Sequence, residues 1–180
     1  MLSRAMLSRA MLSRRSFYLG GTMIAGGAIA MNWLGTPSHA SSGAAFEILR
    51  TDEEWRRLLT REQYQVLRKH GTERAGSSPL DREKRAGIFA CAGCALPLYD
   101  SATKFDSGTG WPSFWQAMDQ AVGTSTDSSF FMKRTEVHCR RCGGHLGHIF
   151  DDGPKPTGKR HCINGVALSF VPGDATPKSS

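Results

Sequence analysis

No aspartate or glutamate occurs in the first 40 positions of this 180-residue chain, where four arginines stand without a counter-charge. The formal charge of +7 is therefore partly a property of the N-terminus. Of 23 lysines and arginines, the other 19 face 16 acidic residues, which leaves +3 on the remainder. That is an ordinary balance for a soluble domain and argues against a nucleic-acid binder. Apolar length is also scarce. The run from Gly20 to about Leu34 is rich in glycine and alanine and shorter than the roughly 20 residues a membrane span needs. Beyond Gly87 there is no alternation of strand and helix patterns, which excludes a doubly wound parallel sheet. Cysteine is sparse and odd in number, five in all, so that two pairs leave one thiol over.

What the N-terminus does contain is a near-perfect repeat of Met-Leu-Ser-Arg-Ala from Met1 to Arg15, too short to be a solenoid unit. Alternative starts at Met1, Met6 or Met11, or duplicated codons, account for it better. Paired Arg14-Arg15 precede the apolar run, and Ser38-His39-Ala40 closes it with a small-x-small cleavage pattern. Residues 1–40 thus read as a twin-arginine signal peptide removed near Ala40, leaving 41–180 as a periplasmic domain of a bacterium with no membrane attachment. A mitochondrial transit peptide should be amphipathic, and this run is not. A retained anchor facing the periplasm is the alternative.

From Thr51 the pattern is helical. Thr51 with Glu54 and Thr60 with Gln63 are capping boxes, followed by apolar stripes, with Gly71 as a stop; they predict two short helices or one kinked one. Residues 72–87 read as a charged, turn-rich loop. Short stretches such as Gly87–Ala90, Ser129–Arg134 and Gly165–Val171 read as antiparallel strands, and the tail beyond Pro172 as frayed. The expectation is a mainly β domain with short N-terminal helices.

Cys91-Ala92-Gly93-Cys94 and Cys139-Arg140-Arg141-Cys142 are two C-x-x-C knuckles separated by 44 residues. Four thiolates in two knuckles suit one closed, tetrahedral, structural zinc ion per chain. Disulfides and a thioredoxin-like redox pair are the alternatives, and the latter expects a βαβ setting that is missing. The unpaired thiol, Cys162, lies in Arg160–Phe170. Read as one strand, that stretch puts Arg160, Cys162 and Asn164 on a common face, where the guanidinium would favour a nucleophilic thiolate. His145 and His148 stand in a glycine-rich stretch with Asp151-Asp152, where a turn or bulge at Gly147 could aim both rings one way. They could ligate metal only with a third partner that the sequence does not identify. Trp111, between Gly110 and Pro112, sits on irregular backbone suited to a pocket wall, and its indole face suits a methyl–sulfur group.

Five ordered blocks, namely Gly71–Arg74, the two knuckles, Phe105–Phe114, His145–Pro154 and Arg160–Phe170, resemble the B-type methionine-R-sulfoxide reductases over about 59–171. The resemblance implies two antiparallel sheets in a tent-like arrangement clamped by zinc, and thiol-dependent reduction of the R epimer of methionine sulfoxide, free or in oxidised proteins. It implies Cys162 as catalytic thiol with Arg160 beside it, a network of His145, His148, Asp152 and Asn164, a substrate wall at Trp111, and zinc on Cys91, Cys94, Cys139 and Cys142. His145 or His148, oriented by Asp152 and water, would protonate the sulfoxide oxygen. Many relatives carry a resolving cysteine where this chain has Thr109, so an external thiol, thioredoxin-like or other, is expected to regenerate Cys162. His161, facing away from Cys162, is not assigned a catalytic role. The competing readings are a zinc-knuckle binding protein without catalysis and a periplasmic thiol–disulfide oxidoreductase using one C-x-x-C pair.

Overall fold

The computed structural model describes residues 46–128 and 133–173. The leader at 1–40, most of the strand expected over 129–134 and the tail beyond Gly173 lie outside the described residues. Among the described residues no helix is long and apolar enough to cross a membrane.

Two short helices open the domain. In α1 (Asp52–Leu58) the Thr51 hydroxyl accepts from the Glu54 N–H while the Glu54 carboxylate accepts from the Thr51 N–H. In α2 (Arg61–Lys69) Thr60 and Gln63 do the same. Both capping boxes satisfy backbone donors that a helix start leaves orphaned, so the segment is two helices, not one kinked rod. The stop comes one residue before the predicted glycine: His70 caps α2 in the left-handed conformation at φ 54°. Gly71 is required by closeness instead, since a Cβ there would lie 2.9 Å from the Gln65 carbonyl oxygen.

The rest is β structure, as expected. Strands β1 (Gly87–Cys91), β2 (Pro97–Asp100), β3 (Lys104–Phe105), β4 (Ser113–Phe114), β5 (Val122–Asp127), β6 (Arg134–Cys139), β7 (His145–Phe150), β8 (Arg160–Ile163) and β9 (Leu168–Pro172) form two antiparallel sheets. One is three-stranded in the order β2-β1-β9, the other six-stranded in the order β3-β4-β8-β7-β6-β5. Phe89, Tyr99, Phe114, Val137, Leu146 and Ile163 are fully buried, and Tyr99 stacks on Phe114 at 4.3 Å between ring centroids. At about 1.5–3 kcal/mol for each such side chain, this cluster is the main source of cohesion. Helix α2 adds Tyr64, Val66 and Leu67 to the same core.

The structure corrects the reading of Arg160–Phe170 as one strand. Strand β8 ends at Ile163, a 3-10 turn follows at Gly165–Ala167, and β9 begins only at Leu168 in the other sheet. The cause is Glu73. Its carboxylate accepts from the Gly165 N–H at 2.6 Å and the Val166 N–H at 2.9 Å, donors that a continuous strand would have spent on a neighbour. The chain therefore changes sheets immediately after Cys162.

Candidate active site and metal centre

The two knuckles lie at the ends of hairpins from different sheets. Cys91 ends β1 and Cys139 ends β6, with Cys94 and Cys142 in the following turns. Sγ–Sγ separations are 3.8 Å for Cys91–Cys142 and 3.5 Å for Cys94–Cys139, and all four sulfurs lie within 4.8 Å of one another. A disulfide needs about 2.05 Å. A tetrahedron with Zn–S bonds of about 2.3 Å has edges of about 3.8 Å, so the donor set fits a zinc ion. Leu67 and Trp55 come within 3.6 Å of where a Gly93 side chain would begin, and Arg68 Nη1 donates to the Cys142 carbonyl at 3.0 Å. The helices thus pack on the metal knuckles.

Cys162 occupies the middle of the larger sheet. In register it stands opposite Ser113 on β4 and His148 on β7; His148 faces Glu136 on β6, which faces Ser125 on β5. Residues directly opposite in antiparallel pairs share a face, so Ser113, Cys162, His148, Glu136 and Ser125 form one row. His145, three positions before His148, would ordinarily face the other side of the sheet. A register slip between β6 and β7, which sets Val137 opposite Gly147 but His138 opposite His145, removes that mismatch. Both rings then meet edge to face with centroids 5.4 Å apart. The bulge that the glycine-rich sequence suggested is thus present, one residue from where it was expected. Gly147 is dictated by packing, since its Cβ would fall 2.0 Å from the Cys162 carbonyl oxygen.

Each histidine is held by a carboxylate, though not by the expected Asp152. His145 Nδ1 is 2.7 Å from Glu136 Oε1, and His148 Nε2 is 2.8 Å from Asp127 Oδ2. Asp127 also accepts from Arg134 at 2.7 Å, and Glu136 from the Ser125 hydroxyl at 2.5 Å. Asp152, expected to orient the histidines, instead grips Arg160 through two hydrogen bonds of 2.9 and 2.8 Å. That pairing lowers the Asp152 pKa. Arg160 in turn lies over the Phe150 ring at 4.5 Å.

Burial decides the protonation states. Desolvation pushes the Cys162 thiol above its ordinary value despite the opposing influence of Arg160 and Thr109. The guanidinium favours the thiolate, as expected, but burial outweighs it. Burial likewise depresses His145, whose side chain is 2% exposed, with Glu136 opposing. Burial works against ionisation of Glu136 too, but its bonds from Ser125 and His145 outweigh that and hold its pKa below the usual range. His161 points away from the site to Tyr99, 3.2 Å from its hydroxyl, and desolvation takes it down to about 4.

Asn164 lies one residue beyond β8 with its amide fully engaged, accepting from the Glu73 N–H and donating to the Leu146 carbonyl, both at 2.9 Å. Trp111 Nε1 donates to the Glu73 carbonyl at 3.2 Å. Trp111, His148, Phe150, Cys162 and Asn164 line a pocket of about 160 Å³. A hydroxyl chain runs beside it: Thr109 Oγ1 is 2.8 Å from Ser107 Oγ, which is 2.7 Å from Ser113 Oγ. Of the sequence-predicted residues, Trp111, His148 and Asn164 share this pocket with Cys162, Arg160 and Asp152 pair with each other, and His145 meets His148 from beside Glu136. Missed were Glu73, Asp127, Glu136 and Arg134, whose signal was a charged residue in an otherwise alternating or motif-bearing segment.

The SelR domain family matches residues 59–172. The chain is similar to a peptide methionine sulfoxide reductase MsrB of Methanosarcina mazei, 52% identical over 133 residues, covering 73% of this chain and 95% of that protein. A protein of the same name from Pseudomonas putida is 55% identical over 129 residues, 71% of this chain and 97% of that one. Another, from Leptospira interrogans, is 49% identical over 126 residues, covering 69% and 96%.

Proposed function

This chain belongs to the B-type methionine-R-sulfoxide reductase family, and from that premise we infer which of its residues carry the reaction. The enzyme reduces methionine-R-sulfoxide to methionine at the expense of thiols. Cys162 is the nucleophile. The observation that carries the assignment is its place in the row between Ser113 and His148, in a pocket walled by the Trp111 indole.

The sulfoxide rests its methyl–sulfur end on Trp111 and directs its oxygen toward the histidines. The Cys162 sulfur attacks the sulfoxide sulfur, and the oxygen gains negative charge that a proton must neutralise. His148, oriented by Asp127, is the acid, because burial leaves His145 neutral. His145, held through Nδ1 by Glu136, fixes the ring of His148 by its edge-to-face contact. Arg160, locked by Asp152, supplies the positive charge that steadies sulfur as it sheds its proton. Asn164 holds the backbone of Glu73, whose carbonyl in turn holds the Trp111 indole. The oxygen ends on Cys162 as a sulfenic acid while methionine departs. Two external thiols then return the sulfenic acid to thiol, releasing water and one disulfide.

Cys91, Cys94, Cys139 and Cys142 would hold a zinc ion that pins the two sheets together and takes no part in the chemistry. The paired arginines and the Ser38-His39-Ala40 site support a twin-arginine leader over 1–40 and a periplasmic enzyme. The reductant is an external, thioredoxin-like or smaller thiol, because Thr109 stands where many relatives carry a resolving cysteine. The assignment is tested with Cys162→Ser. It should abolish loss of the R epimer of an N-blocked methionine sulfoxide, followed by chiral chromatography, while one zinc per chain is retained. Residual turnover would refute it.

A further inference from the structure

His145 has a second set of neighbours that the reductase reaction leaves unused. Its Nδ1 and that of His70 approach the same oxygen, Glu136 Oε1, at 2.7 and 2.9 Å. One donor atom from each of the three residues lies within 4.8 Å of the others. The donors come from three elements: the cap of α2, β6 and β7. We propose that His70, Glu136 and His145 form a second cation site, separate from the four-cysteine cluster and suited to a borderline divalent ion such as Zn²⁺.

Two imidazoles and one carboxylate are the donor set of open zinc sites, which keep a fourth position for water. The mixture of nitrogen and oxygen favours zinc, copper or nickel over magnesium or calcium, which take oxygen ligands. A tetrahedral ion with bonds of about 2.0–2.1 Å separates its donors by about 3.3 Å, so the present spacing must open by roughly half an ångström. The side chains that must yield are unequal in freedom. His145 is 2% exposed and Glu136 12%, whereas His70 is 63% exposed and can swing to admit the ion. Neutral histidines offer Nδ1 to a metal once the ring proton moves to Nε2. The proton that His145 Nδ1 now donates to Glu136 must be displaced as the ion enters, and Nε2, buried without a partner, has no bond to break in taking it up. The carboxylate is ionised and anchored by Ser125 on its other oxygen, as an outer partner anchors a ligand. Occupation would fix the His145 ring and couple the end of α2 to the row that contains Cys162.

The test uses the full chain already loaded with one zinc, titrated calorimetrically with further Zn²⁺, so that binding is read without turnover. The wild type should take up a second equivalent, and Mg²⁺ should not replace it. His70→Asn and His70→Gly both tolerate the left-handed cap at φ 54° while removing the imidazole. Each should weaken the second equivalent by at least about tenfold, the loss that even an outer partner's removal causes. Excess Zn²⁺ should slow wild-type turnover more than that of either variant. Failure to bind a second equivalent, equal binding by the variants, or equal competition by Mg²⁺ would each overturn the site.

Discussion

Gly147 offers a direct test of the geometry beneath Cys162. A Cβ at this position would sit 2.0 Å from the Cys162 carbonyl oxygen, 3.0 Å from its carbon and 3.1 Å from the Ile163 Cα, all backbone atoms that no side-chain rotation can clear. Ordinary contact begins at 3.4 Å, so Gly147→Ala must part β7 from β8 by more than an ångström. The bond from the Asn164 N–H to the Leu146 carbonyl, 2.9 Å long, lies beside this point and would be stretched beyond a hydrogen bond, as would its neighbour in the ladder. Two buried backbone bonds at about 1–3 kcal/mol each put the loss at about 2–6 kcal/mol, a large share of the 5–15 typical of a domain. Gly158 is the control. It has φ 69° but nothing within 4 Å of its would-be Cβ, so Gly158→Ala meets only the left-handed penalty of about 1–2 kcal/mol. Urea unfolding followed by tryptophan fluorescence compares the two. Alkylation of Cys162 should also change in rate in the Gly147 variant alone, because only there does the strand carrying the thiol move. Equal destabilisation by the two substitutions would refute the claim that close strand packing, not backbone freedom, demands Gly147.

Removing zinc with a strong chelator should abolish cooperative unfolding, because an apparent metal-binding energy of about 10–16 kcal/mol exceeds what the core can hold without it; an unchanged urea midpoint would count against the structural role. His161 is neutral in the fold with its pKa depressed to about 4 from 6.5. Stability is then indifferent to pH above 6.5 and falls as pH drops toward 4, while only the unfolded chain takes the proton, by roughly 3 kcal/mol in all. His161→Phe should flatten that slope, and an equal slope in the variant would exclude His161 as its source. Asp127→Asn removes the charge that faces His148 and should lower kcat about 10–100-fold, the value of a charge-assisted bond of about 1.5–3 kcal/mol, with little change in KM. Thr109 is close enough to the Cys162 thiol to favour its ionisation. Thr109→Cys should therefore trap the sulfenic acid as an internal disulfide and make turnover depend on a dithiol reductant, read by mass spectrometry of the oxidised protein.

What could be read in the sequence was what is local. Capping boxes bind residues three apart, so Thr51 with Glu54 and Thr60 with Gln63 are visible without tertiary structure. C-x-x-C spacing likewise announces a knuckle, and a leftover thiol between arginine and asparagine announces itself. The carboxylates that hold the two histidines could not be read this way. Glu136 reaches His145, and Asp127 reaches His148, through the register of β5, β6 and β7, and that register contains a slip no local pattern fixes. Asp152 looked like the partner because it is four residues from His148 in sequence. Its carboxylate is taken by Arg160, whose fixed fork matches both oxygens. The sheet change after Cys162 was hidden for a related reason: it depends on Glu73, some 90 residues earlier in the chain.

The electrostatics of the site also reassign what controls the reaction. A thiol raised by burial is mostly protonated at neutral pH, so attack cannot rely on a standing thiolate. The sulfoxide must then be made electrophilic, and that requires a proton on its oxygen as the S–S bond forms. The carboxylates of Glu136 and Asp127 each hold one histidine, whereas Asp152, paired with Arg160, is the carboxylate whose charge reaches the thiol. Negative charge is thus placed where it helps an imidazole carry a proton, and the one carboxylate that opposes a developing thiolate is offset by its own partner, Arg160. We propose that, as the oxygen takes the proton from His148, the thiol's own proton recharges that imidazole, which stands opposite Cys162 in the sheet. We propose that substrate binding, not the resting enzyme, completes the nucleophile.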